Sequence, residues 1–105
     1  MALTHFCFGQ AGRHWQGSQI PAMLSTSFSS EGIAPTGSNQ ATTAAAGSDT
    51  SAAYVCRVST DTAVYVTFGA SPDATTAAAR VFLPANGVEY FIVPAGAAAA
   101  VVTAA

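Results

Sequence analysis

Lysine is absent from this chain of 105 residues, and charge of either sign is scarce. Three arginines and five acidic residues make the chain 8% charged, whereas soluble proteins average about 25%. A folded chain of this mass exposes roughly 5,400 Å², which leaves about one charge per 700 Å² of surface. Because such a surface dissolves poorly on its own, we expect neighbouring subunits to cover a substantial part of it.

The shortage of cations also excludes nucleic acid as a partner. Binding to phosphates requires Lys and Arg to displace counterions, and this chain has three scattered arginines and a net charge of −2. The alanine-rich segment 95–105 is too short to span a membrane. The amino-terminal residues MALTHFCFGQ lack the basic and apolar regions of a secretory signal. We therefore expect no nucleic acid, no membrane, and a chain kept in the cytoplasm at least until assembly.

Residues that carry catalytic chemistry are equally few. Nucleophilic catalysis requires a nucleophile, a base and an orienting group, but the only histidines are His5 and His14, and no G-x-S-x-G elbow occurs. The spacing of His5, Cys7 and His14 matches no zinc pattern, and no glycine loop for phosphate is present. The sequence therefore predicts no enzyme, no metal site and no cofactor.

The two cysteines permit one disulfide, between Cys7 and Cys56. Cys56 lies in the apolar run AAYVCRV and is typical there of a small buried hydrophobic residue. A reducing compartment also keeps thiols unpaired. We therefore expect no bridge between them.

From residue 52 onward the pattern indicates β-strands separated by turns. Apolar residues alternate through AAYVCRVS and again through AVYVTFG, as in strands with one buried side. The polar link 59–62 between these runs predicts a hairpin. The inward residues of the two strands are then Tyr54, Cys56, Val58, Val64, Val66 and Phe68.

The stretch VFLPANGVEYFIVPAG, residues 81–96, contains two further β runs and two turns. The Asn-Gly pair in PANG readily takes positive φ, which favours a tight turn. In the run 88–93 one side carries Val88, Tyr90 and Ile92, and we expect that side to face the core. The final apolar segment, AAAAVVTAA, predicts a last strand because Val and Thr disfavour a helix.

The first half of the chain shows little periodicity and predicts an arm and an extended connector. Leu3, Phe6 and Phe8 indicate either a short strand or an anchoring arm, and residues 20–28 indicate another strand. Residues 29–51 are typical of a long connector, which is rare inside a compact domain unless a partner orders it. The candidate contacts with a partner are Leu3, Phe6, Phe8, Trp15, Phe28 and Glu89.

Two of these candidates leave alternatives open. Trp15 either folds back as a lid on the core or inserts into a partner as an aromatic anchor. Glu89 interrupts the strongest β run and either pairs with Arg57 or Arg80, within the sheet or across a subunit boundary, or points outward into solvent. Together these patterns predict an all-β chain. We expect a small antiparallel β-sandwich or jelly-roll-like domain over residues 52–105, with an extended, irregular N-terminal arm and connector over residues 1–51.

The carboxy-terminal half resembles small virion proteins of tailed bacteriophages. The resemblance rests on V-C-R-V, T-D-T-A-V-Y-V-T-F-G and F-L-P-A-N-G-V-E-Y-F-I-V, above all on Phe68-Gly69 and on residues 83–91. It covers about half of the chain, residues 52–105. It implies a compact β-sandwich that is bound in many copies to a capsid or tail and has no catalytic residues.

Composition and resemblance together predict a structural role. The leading expectation is a decoration, or cement, protein on the capsid surface of a virion, assembled in the host cytoplasm. Its partners would be the major capsid protein and copies of itself, in a trimer or another symmetric cluster. Two alternatives stay open: a head-to-tail or tail-fibre component with receptor or glycan binding, and a non-viral binding module such as part of a bacterial surface layer.

Overall fold

The computed structural model describes residues 2–13, 19–48, 53–76 and 80–104, and for residues 11–13 and 19–28 it describes the backbone alone. The described residues form eight β-strands and no helix, arranged as two antiparallel four-stranded sheets packed together. The expected all-β sandwich is therefore confirmed. The strands are β1 Thr4–Arg13, β2 Gln19–Ile33, β3 Gln40–Ala45, β4 Tyr54–Thr60, β5 Val64–Gly69, β6 Val81–Leu83, β7 Val88–Val93 and β8 Ala98–Thr103.

The strands are ordered β2-β1-β4-β7 in the first sheet and β3-β8-β5-β6 in the second. The predicted hairpin of β4 and β5 is wrong, since these strands belong to different sheets. Their link is an arch across the core, in which the Thr60 hydroxyl donates to the Thr62 carbonyl at 2.7 Å and accepts from the Thr62 N–H at 3.3 Å. Alternation marks one inward face on each strand, but it does not reveal whether the two faces lie side by side or opposite one another.

The amino-terminal segment is an inner strand rather than an arm. β1 lies between β2 and β4, and its Phe6 and Phe8 side chains are fully buried in the core. The predicted arm is therefore wrong, and so is the assignment of these two phenylalanines to a partner. The expected connector 29–51 is also wrong in part, because it contains the end of β2 and all of β3. These strands are formed by lateral pairing with distant segments, which local periodicity does not report.

The orientation of β7 is the reverse of the one expected. Val88, Tyr90 and Ile92 are 46%, 49% and 58% exposed, whereas Val93 is buried and Phe91 packs against the core. The register explains this, because the inward Cys56 of β4 lies opposite Phe91. Both faces of β7 carry apolar residues, so composition did not distinguish them. Of the other residues expected in the core, Phe68 packs partly buried against it, and the rest are buried: Tyr54, Cys56, Val58, Val64 and Val66.

Two similar turns frame β7. In the first, the Gly87 N–H donates to the Pro84 carbonyl at 3.0 Å, and Asn86 has a φ of 63°. In the second, the Ala97 N–H donates to the Pro94 carbonyl at 3.2 Å, and Gly96 has a φ of 77°. Both place a positive φ at the third position, where Asn and Gly are tolerated. The second turn leads into β8, which confirms the predicted final strand.

The side of the sandwich that lies between β2 and β3 is closed by one carboxylate. Glu31 Oε1 accepts hydrogen bonds from the N–H groups of Thr43 and Ala44, both at 2.9 Å, and from the Thr43 hydroxyl at 3.0 Å. These bonds, above all the one from Ala44, lower the pKa of Glu31 against a smaller opposing effect of burial. The ionised carboxylate thus joins an edge strand of each sheet.

The burial pattern predicts very different costs for two apolar truncations. Phe8→Ala empties a fully buried site and should destabilise the fold by about 3–5 kcal/mol. Ile92→Ala removes an exposed side chain and should change stability by no more than about 0.5 kcal/mol. Urea denaturation of both variants measures the difference. Comparable losses would contradict the orientation of β7.

Glu31→Gln tests the carboxylate that joins the two edges. At pH 7 the variant should lose about 1 kcal/mol, since a partly exposed charged acceptor gains little more. Because the pKa of Glu31 is lowered in the fold, its stabilisation is present above the ordinary glutamate pKa and declines as pH falls through the folded value. Urea denaturation at pH 7 and pH 3 should therefore show a smaller difference at pH 3.

Glu89→Gln is the matched control, because it removes the same charge from an exposed position of β7. A Glu31→Gln penalty equal to that of the control, or equal at both pH values, would contradict the stabilising role of Glu31.

Candidate interaction surface

Exposed apolar side chains concentrate on one side of the sandwich. β6 and β7 are the last strands of their respective sheets and are joined by four residues, which span at most about 14 Å. They therefore lie on the same side, which we call the open side. Six large hydrophobic side chains are exposed among those the structure describes, and five belong to the open side: Val81, Phe82, Val88, Tyr90 and Ile92.

The outer face of β7 presents three of these side chains in a row. Val88, Tyr90 and Ile92 alternate with residues that face the core, so they point away from it together. Arg57 lies opposite Tyr90 on β4, with its guanidinium carbon 6.0 Å from the ring centroid. The row is thus an apolar strip beside one cation.

β6 extends the open side onto the second sheet. The ring of Phe82 meets Tyr65 edge to face, with centroids 5.7 Å apart. On the same Tyr65 ring lies Arg80, whose guanidinium carbon is 3.7 Å from the centroid, and its Nη1 donates to the Ala74 carbonyl at 3.4 Å. These contacts fix the aromatic side chains in place, and a pre-ordered surface loses less entropy on binding.

The edge of β7 lacks the features that ordinarily prevent strands from associating. Natural edge strands carry lysines, prolines or bulges. β7 has no proline or lysine, its only charged residue is Glu89, and it pairs with β4 over six consecutive positions without a register shift. It therefore offers a regular backbone edge for a further strand.

An open cleft of about 330 Å³ lies at one end of the β7 row. Its lining includes Leu3, His5, Asp61, Asn86 and Val88. Asp61 Oδ1 accepts the Leu3 N–H at 2.7 Å, and the Asp61 N–H donates to the Leu3 carbonyl at 3.2 Å. The carboxylate thus holds the start of β1 in place while the cleft supplies polar groups beside the apolar strip.

The cysteines do not form a reactive pair. Cys7 lies opposite Arg57, and Cys56 lies opposite Phe8, so the two side chains point to opposite faces of the sheet. Burial raises the pKa of Cys56 to about 12 and raises the pKa of Cys7 against the opposing charge of Arg57. Both remain thiols at neutral pH, and thiols are poor nucleophiles. The structure accordingly contains no disulfide between Cys7 and Cys56.

The residues proposed as partner contacts are scattered in the structure. Leu3 and Glu89 are exposed, whereas Phe6 and Phe8 are buried, as described above. Trp15 lies outside the described residues, and for Phe28 only the backbone is described, in register with Gly9.

Within the chain, neither arginine considered for Glu89 pairs with it. Arg57 lies against Tyr90 on the outer face of the first sheet, and Arg80 lies on Tyr65 of the second. Glu89 is in register with Val58 and so lies on the other face of β7 from Tyr90. The open side itself was missed, although the apolar residues on both faces of VEYFIV were its signal.

Outside this surface, the described residues offer little other chemistry. They contain no group of three or more His, Cys, Asp or Glu side chains placed to hold a metal ion. No helix among them is long and apolar enough to cross a membrane. No protein-family model, curated protein or solved structure matches this chain. The open side is therefore the candidate functional surface.

Ile92→Lys should raise the solubility of the protein by placing a charge at one end of the apolar strip. Ala41→Lys is the matched control, because it adds the same charge at an exposed position of β3, on the opposite side of the sandwich. The midpoint of ammonium sulfate precipitation should rise for Ile92→Lys well above its value for the control. Equal midpoints would mean that net charge, rather than the strip, limits solubility.

Proposed function

We propose that this chain is a structural assembly protein, and that it serves as a decoration, or cement, subunit on a tailed-phage capsid. The observation that supports the proposal is the open side, where two edge strands carry five of the six exposed large hydrophobic side chains among those described. Apolar patches of this kind mark protein-protein contacts. The resemblance of residues 52–105 to small phage virion proteins supplies the capsid as the setting.

The size of the open side fits a subunit that binds its neighbours. Its five exposed apolar side chains are each about half exposed in the single chain. A standard interface takes about 800 Å² from each partner, so these side chains would form its apolar centre, with a polar rim around it. Contacts that exist only in the assembled shell stabilise the shell by mass action, and many copies make weak single contacts sufficient.

The proposed route of attachment differs from the one expected from sequence. An arm formed by the first residues would lie across the capsid, but β1 is an inner strand and its phenylalanines fill the core. Removing residues 1–18 would therefore remove part of the fold. In the proposed function the open side makes the contact with a neighbouring subunit of the assembly.

The cleft favours a second candidate function. A head-to-tail or tail-fibre component that binds a receptor glycan would use polar groups beside an aromatic ring. Asp61 and Asn86 line the cleft together with Val88, and Tyr90 is the next outward residue on β7. The first function accounts for the whole apolar strip, whereas the second uses only one end of it.

Counting copies of the chain in purified particles tests the proposal. Phage particles are purified in a density gradient from a culture infected with a phage whose genome encodes the chain. Quantitative mass spectrometry then measures the amount of the chain relative to the major capsid protein. Hundreds of copies per particle are expected for a decoration subunit, whereas a ring of a few copies would favour the neck or tail. Absence from the particles would overturn both functions.

A further inference from the structure

We propose that β7 of one copy pairs antiparallel with β7 of a second copy, about a two-fold axis that passes at Tyr90. The first sheet of one copy and the first sheet of the other then become one continuous sheet of eight strands. This inference deepens the proposed assembly role, on which it rests, by naming a second copy of the chain as the partner of the open side.

The backbone of β7 leaves one edge available for this pairing. The sheet order ends at β7, with β4 as its only strand neighbour among the described residues. The N–H and C=O groups directed away from β4 are therefore available to another strand, as in strand addition. The regular six-residue pairing with β4 keeps this edge straight enough to accept a partner.

Symmetry limits the registers that two identical strands can adopt. In an antiparallel pair, two opposing residues must both direct their N–H and C=O groups toward the partner strand or both direct them away from it. A two-fold axis therefore has to pass between the two copies of one residue, which then lie opposite each other. An axis at Glu89 would oppose two carboxylates, which is destabilising. An axis at Phe91 would bring Pro94, which has no N–H, opposite Val88.

An axis at Tyr90 avoids both penalties. It sets Val88 opposite Ile92 of the second copy, Glu89 opposite Phe91, and Gly87 opposite Val93. Every side chain of the outer row then has an apolar partner across the junction, with the two tyrosines at the centre. Cross-strand pairs of aromatic and β-branched residues stabilise sheets. The exposed row of β7 is thus complementary to itself in one register.

The same axis brings β6 of the two copies toward each other, since β6 lies on the same side of the sandwich as β7. Val81 and Phe82, each about half exposed in the single chain, then lie next to the junction. Phe82 is already held against Tyr65. A second copy therefore places the exposed side chains of both sheets beside the junction, whereas a single added peptide strand would pair with β7 alone.

Disulfide trapping in the purified full-length chain tests the register. Cys7→Ser is the background, and the remaining Cys56 is fully buried. In this background Tyr90→Cys should form a covalent dimer under mild oxidation, because opposed Cα atoms lie about 4.5–5.5 Å apart, within disulfide reach. Val88→Cys alone should form no covalent dimer, since its two copies are four residues apart along the strands, roughly 13 Å.

An equimolar mixture of Val88→Cys and Ile92→Cys completes the test. These positions face each other in the proposed register, so the mixture should give a mixed covalent dimer that neither variant gives alone. Crosslinking of Val88→Cys with itself would overturn the register. Failure of both Tyr90→Cys and the mixture to crosslink would overturn the pairing.

Sedimentation equilibrium of chains without an engineered cysteine measures dimer formation independently of any effect of replacing Tyr90. The natural chain should form a dimer that dissociates on dilution, Ile92→Lys should be a monomer, and Ala41→Lys should dimerise like the natural chain. A natural chain that stays monomeric at high concentration overturns the self-pairing. Its presence in particles would then leave the assembly role intact, whereas a dimer that never enters particles would overturn the assembly role alone.

Discussion

The fold depends on the burial of a few large apolar side chains between two sheets that have little else to hold them together. Much of the apolar content is alanine, and the largest fully buried side chains are Phe6 and Phe8 of β1, which share the core with Val64 and Val66 of the facing sheet. The residues of β8 that face this core include Ala99 and Val101. Since interiors are packed to the density of crystals, small residues on one sheet require large ones on the other.

This constraint explains why β1 is an inner strand. A core limited to residues 52–105 would lack the two fully buried phenylalanines. Pairing of β1 with β4 over seven positions brings these rings under the second sheet. The lateral position of β1 is therefore set by core volume rather than by any local preference of MALTHFCFGQ.

Sequence reasoning predicted the local features and missed those that depend on pairing. The strands around Cys56, Val66 and Phe91, the turn at Asn86 and the final strand follow from alternation and turn chemistry, which act within a few residues. The pairing partners of β4 and β5 do not follow from these local signals, because two neighbouring runs with the same alternation can belong to one sheet or to two facing sheets equally well. For β7 the pattern is apolar on both sides, so only the register with Cys56 decides which side is buried. The surface at Tyr90 was missed for the same reason, since its side chains were assigned to the core.

The two sides of the sandwich differ in how readily their edge strands can pair with further strands. On the side of β3, the N–H groups of Thr43 and Ala44 already donate to Glu31. Those groups therefore cannot donate to the carbonyls of an incoming strand. On the side of β7 no such carboxylate blocks the edge among the described residues. If β7 pairs with a second copy as proposed, these occupied donors restrict the addition of further strands at β3. The Glu31 carboxylate thus protects part of the β3 edge in a protein that has few charges to keep copies apart by repulsion.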